Sequence, residues 1–452
     1  MKIIIVGCGK VGYTLAETLC NESHDVTVID NEEDRLIHLA NRLDVDTVYG
    51  NGASYHVLQT AGIENCNVLI AATDQDEVNM LCCLIARKAA QCKTIARVRD
   101  PNYYAEIGFI QEELGLSLAI NPDLSAAEIC SELVQVPFAV DIDTFAKGKV
   151  KMITFVLPDN SPWADKTLAD IARHNRVPCL VAIMERNHQA MIPNGTTVMR
   201  AGDRISVVLD IQYLKRLFSE IGFRYKPIRN VLIASGGNMS YYLAQRLCAA
   251  KLHVKIIESN RTRCEELVDL LPKATIICGK ACNENVLLEE GVAQADAFCA
   301  LMDNDSENIT LALYANKVSQ AKRITRINKM DLEGIVAEIP LGAVVSPKSL
   351  TAEHILRYVR AMGADTRTSR MESVNRLAND QVEALAFSVT SPSEVTDQKL
   401  MDLHLKSGVL FCSIIRDGKS IVPTGQDSIH VGDQVVLVTT RRYIDDLRDV
   451  LD

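Results

Sequence analysis

The chain has 452 residues, 48% of them apolar and 23% charged, the balance of a soluble globular protein of about three domains. Its net charge of -10 argues against nucleic acid or an anionic membrane surface as the main partner, since both select for basic faces. No uncharged apolar run reaches the ~18 residues of a membrane helix, and the N-terminal run Ile3 to Val6 is too short for a signal-peptide core.

Taken from the start, five mainly apolar residues run into Gly7-Cys8-Gly9-Lys10-Val11-Gly12, and a helical pattern follows. β-Branched runs then predict strands at Ile3–Val6, Val26–Ile29, Thr47–Tyr49, Val68–Ala71 and Ile95–Val98, separated by helical stretches. Strands alternating with helices imply a parallel, doubly wound sheet. After residue 136 the pattern changes. "KMITFVLP", "CLVAIME", "AMIP" and "DRISVVLD" read as strands with one short helix, "LADIAR", a small α+β module. Its turns, "IPNGT" and "AGD", carry the Gly and Pro that hairpins need.

From residue 230 the chain repeats itself. "KIIIVGCGKVGYTLAETLCNESHDVTVID" (2–30) aligns with "NVLIASGGNMSYYLAQRLCAAKLHVKIIE" (230–258) at an offset of 228. At an offset of 229, Gly50 meets Gly279, Gly62 meets Gly291, Asp74 meets Asp303, Asp76 meets Asp305 and Asn79 meets Asn308. "NPDLSAAEI" (121–129) meets "SPKSLTAEH" (346–354), and "IPNGTTVMRAGDRISVV" (192–208) meets "VPTGQDSIHVGDQVVLV" (422–438). The expected organisation is a tandem duplication: two Rossmann-like doubly wound domains, 1–136 and 226–365, each followed by a small α+β domain, 137–225 and 366–452. Charged linkers such as "RYKPIRN" (224–230) separate them.

The glycine loop has the context that gives such a motif meaning: a strand before it, a helix after it and an acidic residue ending the second strand. Gly7 permits the tight turn, Gly9 lets the backbone approach a pyrophosphate at the helix N-terminus, and Gly12 lets helix and strand pack closely. Asp30 follows Gly12 by 18 residues, where it can accept hydrogen bonds from ribose hydroxyls. A carboxylate there repels a 2′-phosphate and favours NAD over NADP. The candidate binding residues are Gly7, Cys8, Gly9, Lys10, Val11, Gly12 and Asp30, with Thr73, Asp74, Arg97 and Val98 at the carboxyl edge of the sheet. Asp74 or Asp76 could instead cap the next helix. Arg97 and its partner Arg326 could meet a phosphate, a carboxylate across an interface, or solvent.

The copy of the loop is degraded. Ser235 stands for Gly7 and Ser240 for Gly12, while Gly237 and Glu258 keep the close-approach glycine and the ribose carboxylate. The second candidate set is Ser235, Gly236, Gly237, Asn238, Met239, Glu258, Asp303 and Arg326. This site is expected to bind more weakly, to bind another nucleotide, or to stay empty.

Other chemistry is thin. The fourteen cysteines, many in apolar segments, read as buried reduced thiols. Cys278 and Cys282 have no second Cys/His pair nearby, which excludes zinc, and "DNDSEN" (303–308) lacks the glycine and glutamate of an EF-hand. No metal site is expected. His24, His38 and His56 lie in or beside helices of the first domain and suit structural roles. No catalytic residue is assigned.

These residues resemble a known family. "IIIVGCGKVGYTLAE", Asp30, "GNGAS" (50–54), "AATDQDEVNMLCC" (71–83) and "ARVR" (96–99) are similar to the nucleotide-binding domain of potassium-transport regulators, called KTN or RCK N-terminal. The small units carrying "IPNGTTVMRAGD" and "VPTGQDSIHVGD" resemble the RCK C-terminal domain. The resemblance implies NAD(H) binding at the first site, with ATP and ADP as further ligands. It also implies an assembly of several copies, cytoplasmic and peripheral on the inner face of the membrane, docked on a membrane-embedded potassium-translocating subunit of the Trk type. It does not imply catalysis. The alternatives are an NAD-dependent oxidoreductase, which would need an acid/base group facing the nicotinamide, and a gating ring for a potassium channel.

Overall fold

The computed structural model describes residues 1–224, 226–328, 339–362, 368–378, 381–441 and 444–452. The expected boundaries at 225/226 and 365/366 fall on or beside residues outside that set.

Six strands form the first sheet: β1 (Lys2–Val6), β2 (Asp25–Asp30), β3 (Asp46–Tyr49), β4 (Val68–Ala71), β5 (Lys93–Arg97) and β6 (Leu118–Ile120). All neighbours are parallel, in the order β3-β2-β1-β4-β5-β6. The chain leaves β1 toward one edge and returns to the other through β4, so a crevice opens outside the carboxyl ends of β1 and β4. Ile3, Ile4 and Ile5 of β1 and all of β4 are buried, as continuous apolar runs covered on both faces must be. Each Val, Leu or Ile among them contributes roughly 1.5–3 kcal/mol. β3 is an exposed edge strand. β6 was not expected from sequence: three residues are too few for a period to show.

Helices cross between the strands. α1 (Lys10–Asn21) buries Val11, Leu15, Ala16 and Leu19 on one stripe. Next come α2 (Glu33–Ala40), α3 (Tyr55–Thr60), α4 (Asp76–Ala89), α5 (Pro101–Ala105), α6 (Ile107–Leu114) and α7 (Pro122–Gln135).

After the α+β segment carrying α8 (Leu168–His174) and α9 (Leu214–Ile221), the second parallel sheet repeats the first. It holds β12 (Asn230–Ala234), β13 (His253–Glu258), β14 (Thr275–Cys278), β15 (Ala297–Ala300), β16 (Lys322–Arg326) and β17 (Ala343–Val345), in the order β14-β13-β12-β15-β16-β17. Its helices include α10 (Asn238–Ala249), α11 (Arg261–Leu270), α12 (Glu284–Glu289), α13 (Asp305–Val318) and α14 (Pro347–Met362). The two parallel sheets share one compact unit, Met1–Ser131 with Arg229–Val359. Within it Asn121 donates to the Tyr242 hydroxyl at 3.1 Å, and Arg246 pairs with Glu128.

The other unit, Glu132–Ile228 with Arg360–Asp452, contains two antiparallel sheets. β7 (Asp141–Phe145), β8 (Val150–Val156), β9 (Cys179–Arg186), β10 (Gln189–Met191) and β11 (Arg204–Leu209) run in the order β10-β9-β11-β8-β7. β18 (Ser369–Leu377), β19 (Val382–Val389), β20 (Val409–Arg416), β21 (Lys419–Ile421) and β22 (Gln434–Thr439) reproduce that topology. Phe145, Met152 and Val208 of the first share a core with Val382, Ala384 and Val436 of the second. In each, the Asp of the "GD" turn is buried and clamps an arginine: Asp203 with Arg186 at 2.6 and 2.7 Å, Asp433 with Arg416 at 2.7 and 2.9 Å.

Candidate functional site

The first cradle is set by three glycines. Gly7 sits at φ +102°, and a Cβ there would stand 3.0 Å from the Ala72 and Thr73 backbone. A Cβ at Gly12 would come to 1.8 Å from the Gly7 carbonyl oxygen, so helix α1 can press onto the loop only with glycine there. At Gly9, which precedes α1, a Cβ would meet nothing within 4 Å. The Gly9 backbone therefore faces open space beside the first-turn amides of α1, which have no intrahelical acceptor and carry the positive end of the helix dipole.

Asp30 ends β2, only 6% exposed, and accepts from the amides of Cys8 and Glu32, the latter at 2.8 Å. The carboxylate thus braces the glycine loop while lining the cleft. Across the crevice, Asn79 of α4 is fully buried and ties the end of β4 to the end of β5. It accepts from the Thr73 amide at 2.8 Å and donates to the carbonyls of Thr73 and Arg97 at 3.1 and 2.9 Å. Asn308 makes the matching bonds in the second repeat, to Met302 and to the Arg326 carbonyl. Arg97 donates to the Thr73 carbonyl at 2.9 Å, and its buried Nε has no partner among the described residues. Asp76 does not cap α4. Its buried carboxylate accepts from the amides of Arg99 and Asp100, both at 2.7 Å, fixing the chain beyond β5.

These elements enclose a cleft of about 680 Å³. Of the candidate residues of the first site, Gly7, Gly9, Lys10, Val11, Asp30, Thr73, Asp74 and Arg97 line it. Cys8, Gly12 and Val98 do not line it. Cys8 contributes its amide, while burial and then the Asp30 charge push its thiol up to about 11. Gly12 packs beneath the loop, and Val98 is fully buried beyond the end of β5.

The second repeat completes the first cleft. Asp303, Arg326, Asn328, Pro347 and Lys348 line it as well. Arg326 was expected in the second site; instead its side chain faces the first cleft, holding Asp303 at 2.9 Å. Lys348 escaped the sequence reading, although its repeat partner Asp123 lines the same cleft and accepts from Arg99 at 3.4 Å. Burial lowers the Lys348 amine to about 8, helped by the charges of Lys10, Arg326 and Arg97 and opposed by Asp305. Four cations from two repeats thus converge on one region of the cleft, at an electrostatic cost that an anion relieves.

The second cradle keeps the frame of the first. Glu258 accepts from the amides of Gly236 and Asn260 at 2.6 and 2.7 Å, reproducing the bonds of Asp30. Ser235, however, holds Gly7's left-handed backbone at φ +96° with a side chain attached. Ser240 is fully buried, and its hydroxyl has no partner among the described residues. Arg263 donates to the Gly236 carbonyl at 2.9 Å and pairs with Glu266 at 2.8 Å. The adjoining cleft, of about 760 Å³, is lined by Ser235, Gly236 and Gly237, and by the carboxylates Glu258, Glu266, Asp303 and Glu307 against the cations Arg263 and Lys280. Asn238 and Met239 do not line it, Met239 being buried in α10. This cleft is therefore acidic, whereas in the first the cations Lys10, Arg35, Arg97, Arg99, Arg326 and Lys348 offset the carboxylates Asp30, Glu32, Asp74, Asp123 and Asp303.

Neither cleft is lined by His24, His38 or His56. Among the described residues no group of three His, Cys, Asp or Glu could hold a metal, and no helix is long and apolar enough to cross a membrane.

The TrkA-N domain family matches residues 3–122 and 231–347, and the TrkA-C domain family matches 152–222 and 385–452. The chain is 32% identical to the Trk system potassium uptake protein TrkA of Halomonas elongata over 451 residues, covering 99% of this chain and 98% of that one. It is 31% identical to the protein of the same name from Vibrio alginolyticus, over 99% of this chain and 98% of that one. Among solved structures, the GsuK RCK domain superposes with a TM-score of 0.63 at 17% identity, covering 97% of this chain and 92% of that chain. The GsuK channel bound to NAD also gives 0.63 at 17% identity, covering 97% and 76%. These likenesses show a shared fold.

Proposed function

The chain belongs to the TrkA family, and from that premise together with the cleft we propose that it is a nucleotide-binding regulatory subunit of a potassium uptake transporter. One observation carries the reading: two repeats of one chain close on a single cleft that joins a glycine phosphate loop, a ribose-height carboxylate and four convergent cations. A ligand held there touches both halves, so its binding energy depends on how the halves are arranged.

The residues suit an adenine dinucleotide. The open side of Gly9 admits a pyrophosphate against the first turn of α1, and Asp30 has lone pairs left for ribose hydroxyls. Lys10, Arg97, Arg326 and Lys348 supply charge for phosphates, which also suits ADP or ATP. GsuK has been solved bound to NAD and bound to ADP. When bound, NAD brings a hydride-transfer ring; the residues described here bind and orient. A ligand preferring one arrangement by ~1–3 kcal/mol biases it 5–150-fold, enough to gate a membrane partner. That partner is a membrane-embedded potassium-translocating subunit of the Trk type, met on the cytoplasmic face by an assembly of several copies.

The test is a calorimetric screen of NAD, NADH, NADP, ADP and ATP on the purified chain, with potassium flux in vesicles holding the membrane subunit. Ligand-dependent flux with no turnover across a metabolite panel supports the reading. Specific oxidation or reduction of a metabolite would replace it with the dehydrogenase.

A further inference from the structure

Two of the fourteen cysteines are exposed, Cys278 and Cys282; Cys282 lines the second cleft, and Cys278 stands one strand over from its Glu258. Cys278 ends β14, where it pairs across the sheet with Glu258 of β13. Cys264, in the first turn of α11, points back at the same residue: its Sγ stands 3.3 Å from the Glu258 carbonyl oxygen. The same Glu258 carbonyl accepts from the amide of Gly279, the residue after Cys278, at 2.8 Å, so the Cys264 sulfur and Cys278 flank one peptide carbonyl. One of the pair is exposed and the other only 6% exposed. The first repeat has Leu36 and Tyr49 at these places, so the pair belongs to the degraded copy alone.

We propose that Cys264 and Cys278 form an oxidant-responsive dithiol that closes to a disulfide on exposure to a hydroperoxide. The exposed Cys278 thiol gives up its proton, and its sulfur attacks one peroxide oxygen. The O–O bond breaks, the departing oxygen leaves as water, and Cys278 becomes a sulfenic acid. The Cys264 sulfur then attacks the sulfenic sulfur. The S–O bond breaks, and the hydroxyl departs as water with the Cys264 proton. Both thiols are oxidised, one hydrogen peroxide is reduced, and two waters form. A thiol donor reverses it by exchange.

The bond would span Glu258, the residue that braces the second phosphate loop through the Gly236 amide at 2.6 Å. It would also fix Arg263, the neighbour of Cys264, whose guanidinium donates to the Gly236 carbonyl at 2.9 Å. Oxidation thereby pins α11 to β14 at the mouth of the acidic cleft. Cys66 and Cys92, which share one core, are the internal contrast: both thiols are buried and out of an oxidant's reach.

The experiment treats the full-length chain with hydrogen peroxide, blocks remaining thiols with N-ethylmaleimide, and maps tryptic peptides without reduction. The expected product joins CEELVDLLPK (264–273) to ATIICGK (274–280) and disappears with dithiothreitol. In Cys264→Ser, Cys278 should stop at a sulfenic acid trapped by dimedone; in Cys278→Ser, Cys264 should stay reduced; Cys282→Ser should leave the linked peptide intact. A link from Cys278 to Cys282, a link between two chains, or over-oxidation of Cys278 in the intact sequence with no link would overturn the assignment.

Discussion

Arg326 and Asp303 form an ion pair at 2.9 Å inside the second repeat, yet the Arg326 side chain lines the cleft of the first. The pair stands where the two halves meet, since Asp303 lines both clefts. The Arg326 side chain is 11% exposed and that of Asp303 90%, so loss of the arginine leaves a solvated carboxylate rather than a buried one. Arg326→Ala should therefore weaken nucleotide binding at the first site about tenfold or more, the worth of one charge-assisted phosphate contact. Arg263→Ala, which alters only the second cleft, should leave that affinity within twofold. Titration calorimetry decides it: equal effects of the two changes would remove Arg326 from the first site.

The glycine loop separates folding from binding. Gly9→Val places its side chain in open space, so melting should shift little, while nucleotide affinity should fall ~100-fold as the pyrophosphate is displaced. Gly12→Ala drives a Cβ against the Gly7 carbonyl and should cost ~1–3 kcal/mol of stability. Thermal denaturation and calorimetry on both variants test the pair together. A Gly9 variant that binds normally would move the pyrophosphate elsewhere.

Much of this was legible in the sequence because each half is built from local signals. The Gly7–Gly12 loop, Asp30 and the fourth-strand edge follow from strand, turn and helix periods within about 80 residues. Arg326 and Lys348 did not follow, because alignment at a fixed offset assigns each residue to its own copy. The contact between copies is a tertiary fact with no period. The swap of Asp123 for Lys348 was the one available hint, a charge reversal at a matched position. Asn79 and Asn308 match across the copies without signalling a role; a buried asparagine joining two strand ends looks like any polar helix residue in sequence.

Lys348 should make binding pH-dependent. Burial, with the charges of Lys10, Arg326 and Arg97, holds its amine at about 8 in the free protein. A bound phosphate favours the charged amine and raises that value. Above about pH 8, binding should thus take up protons, and affinity should fall as pH rises. Calorimetry in two buffers of different ionisation heat should show uptake of a fraction of one proton per ligand, absent in Lys348→Met. The free protein gives an independent sign. The unfolded chain holds this proton more tightly, up to the ordinary 10.5, so stability should rise with pH between about 8 and 10.5 and lose that increment below. The methionine variant should flatten that slope.

The degraded cradle carries strain that two substitutions should release. Ser235 at φ +96° occupies backbone that a side chain disfavours by roughly 1–3 kcal/mol, and Ser235→Gly should recover ~1 kcal/mol of it. Ser240→Ala removes a fully buried hydroxyl that has no partner among the described residues and should add ~1 kcal/mol, since alanine also suits the interior of α10. Both gains should show as higher melting temperatures and add in the double variant if the sites do not couple. Neither should restore nucleotide affinity to the second cleft. Its lining sets four carboxylates against Arg263 and Lys280, and Asn238 stands where the first repeat has Lys10. Tight binding of ADP to the double variant at this site would show that loop geometry, rather than charge, separates the two cradles.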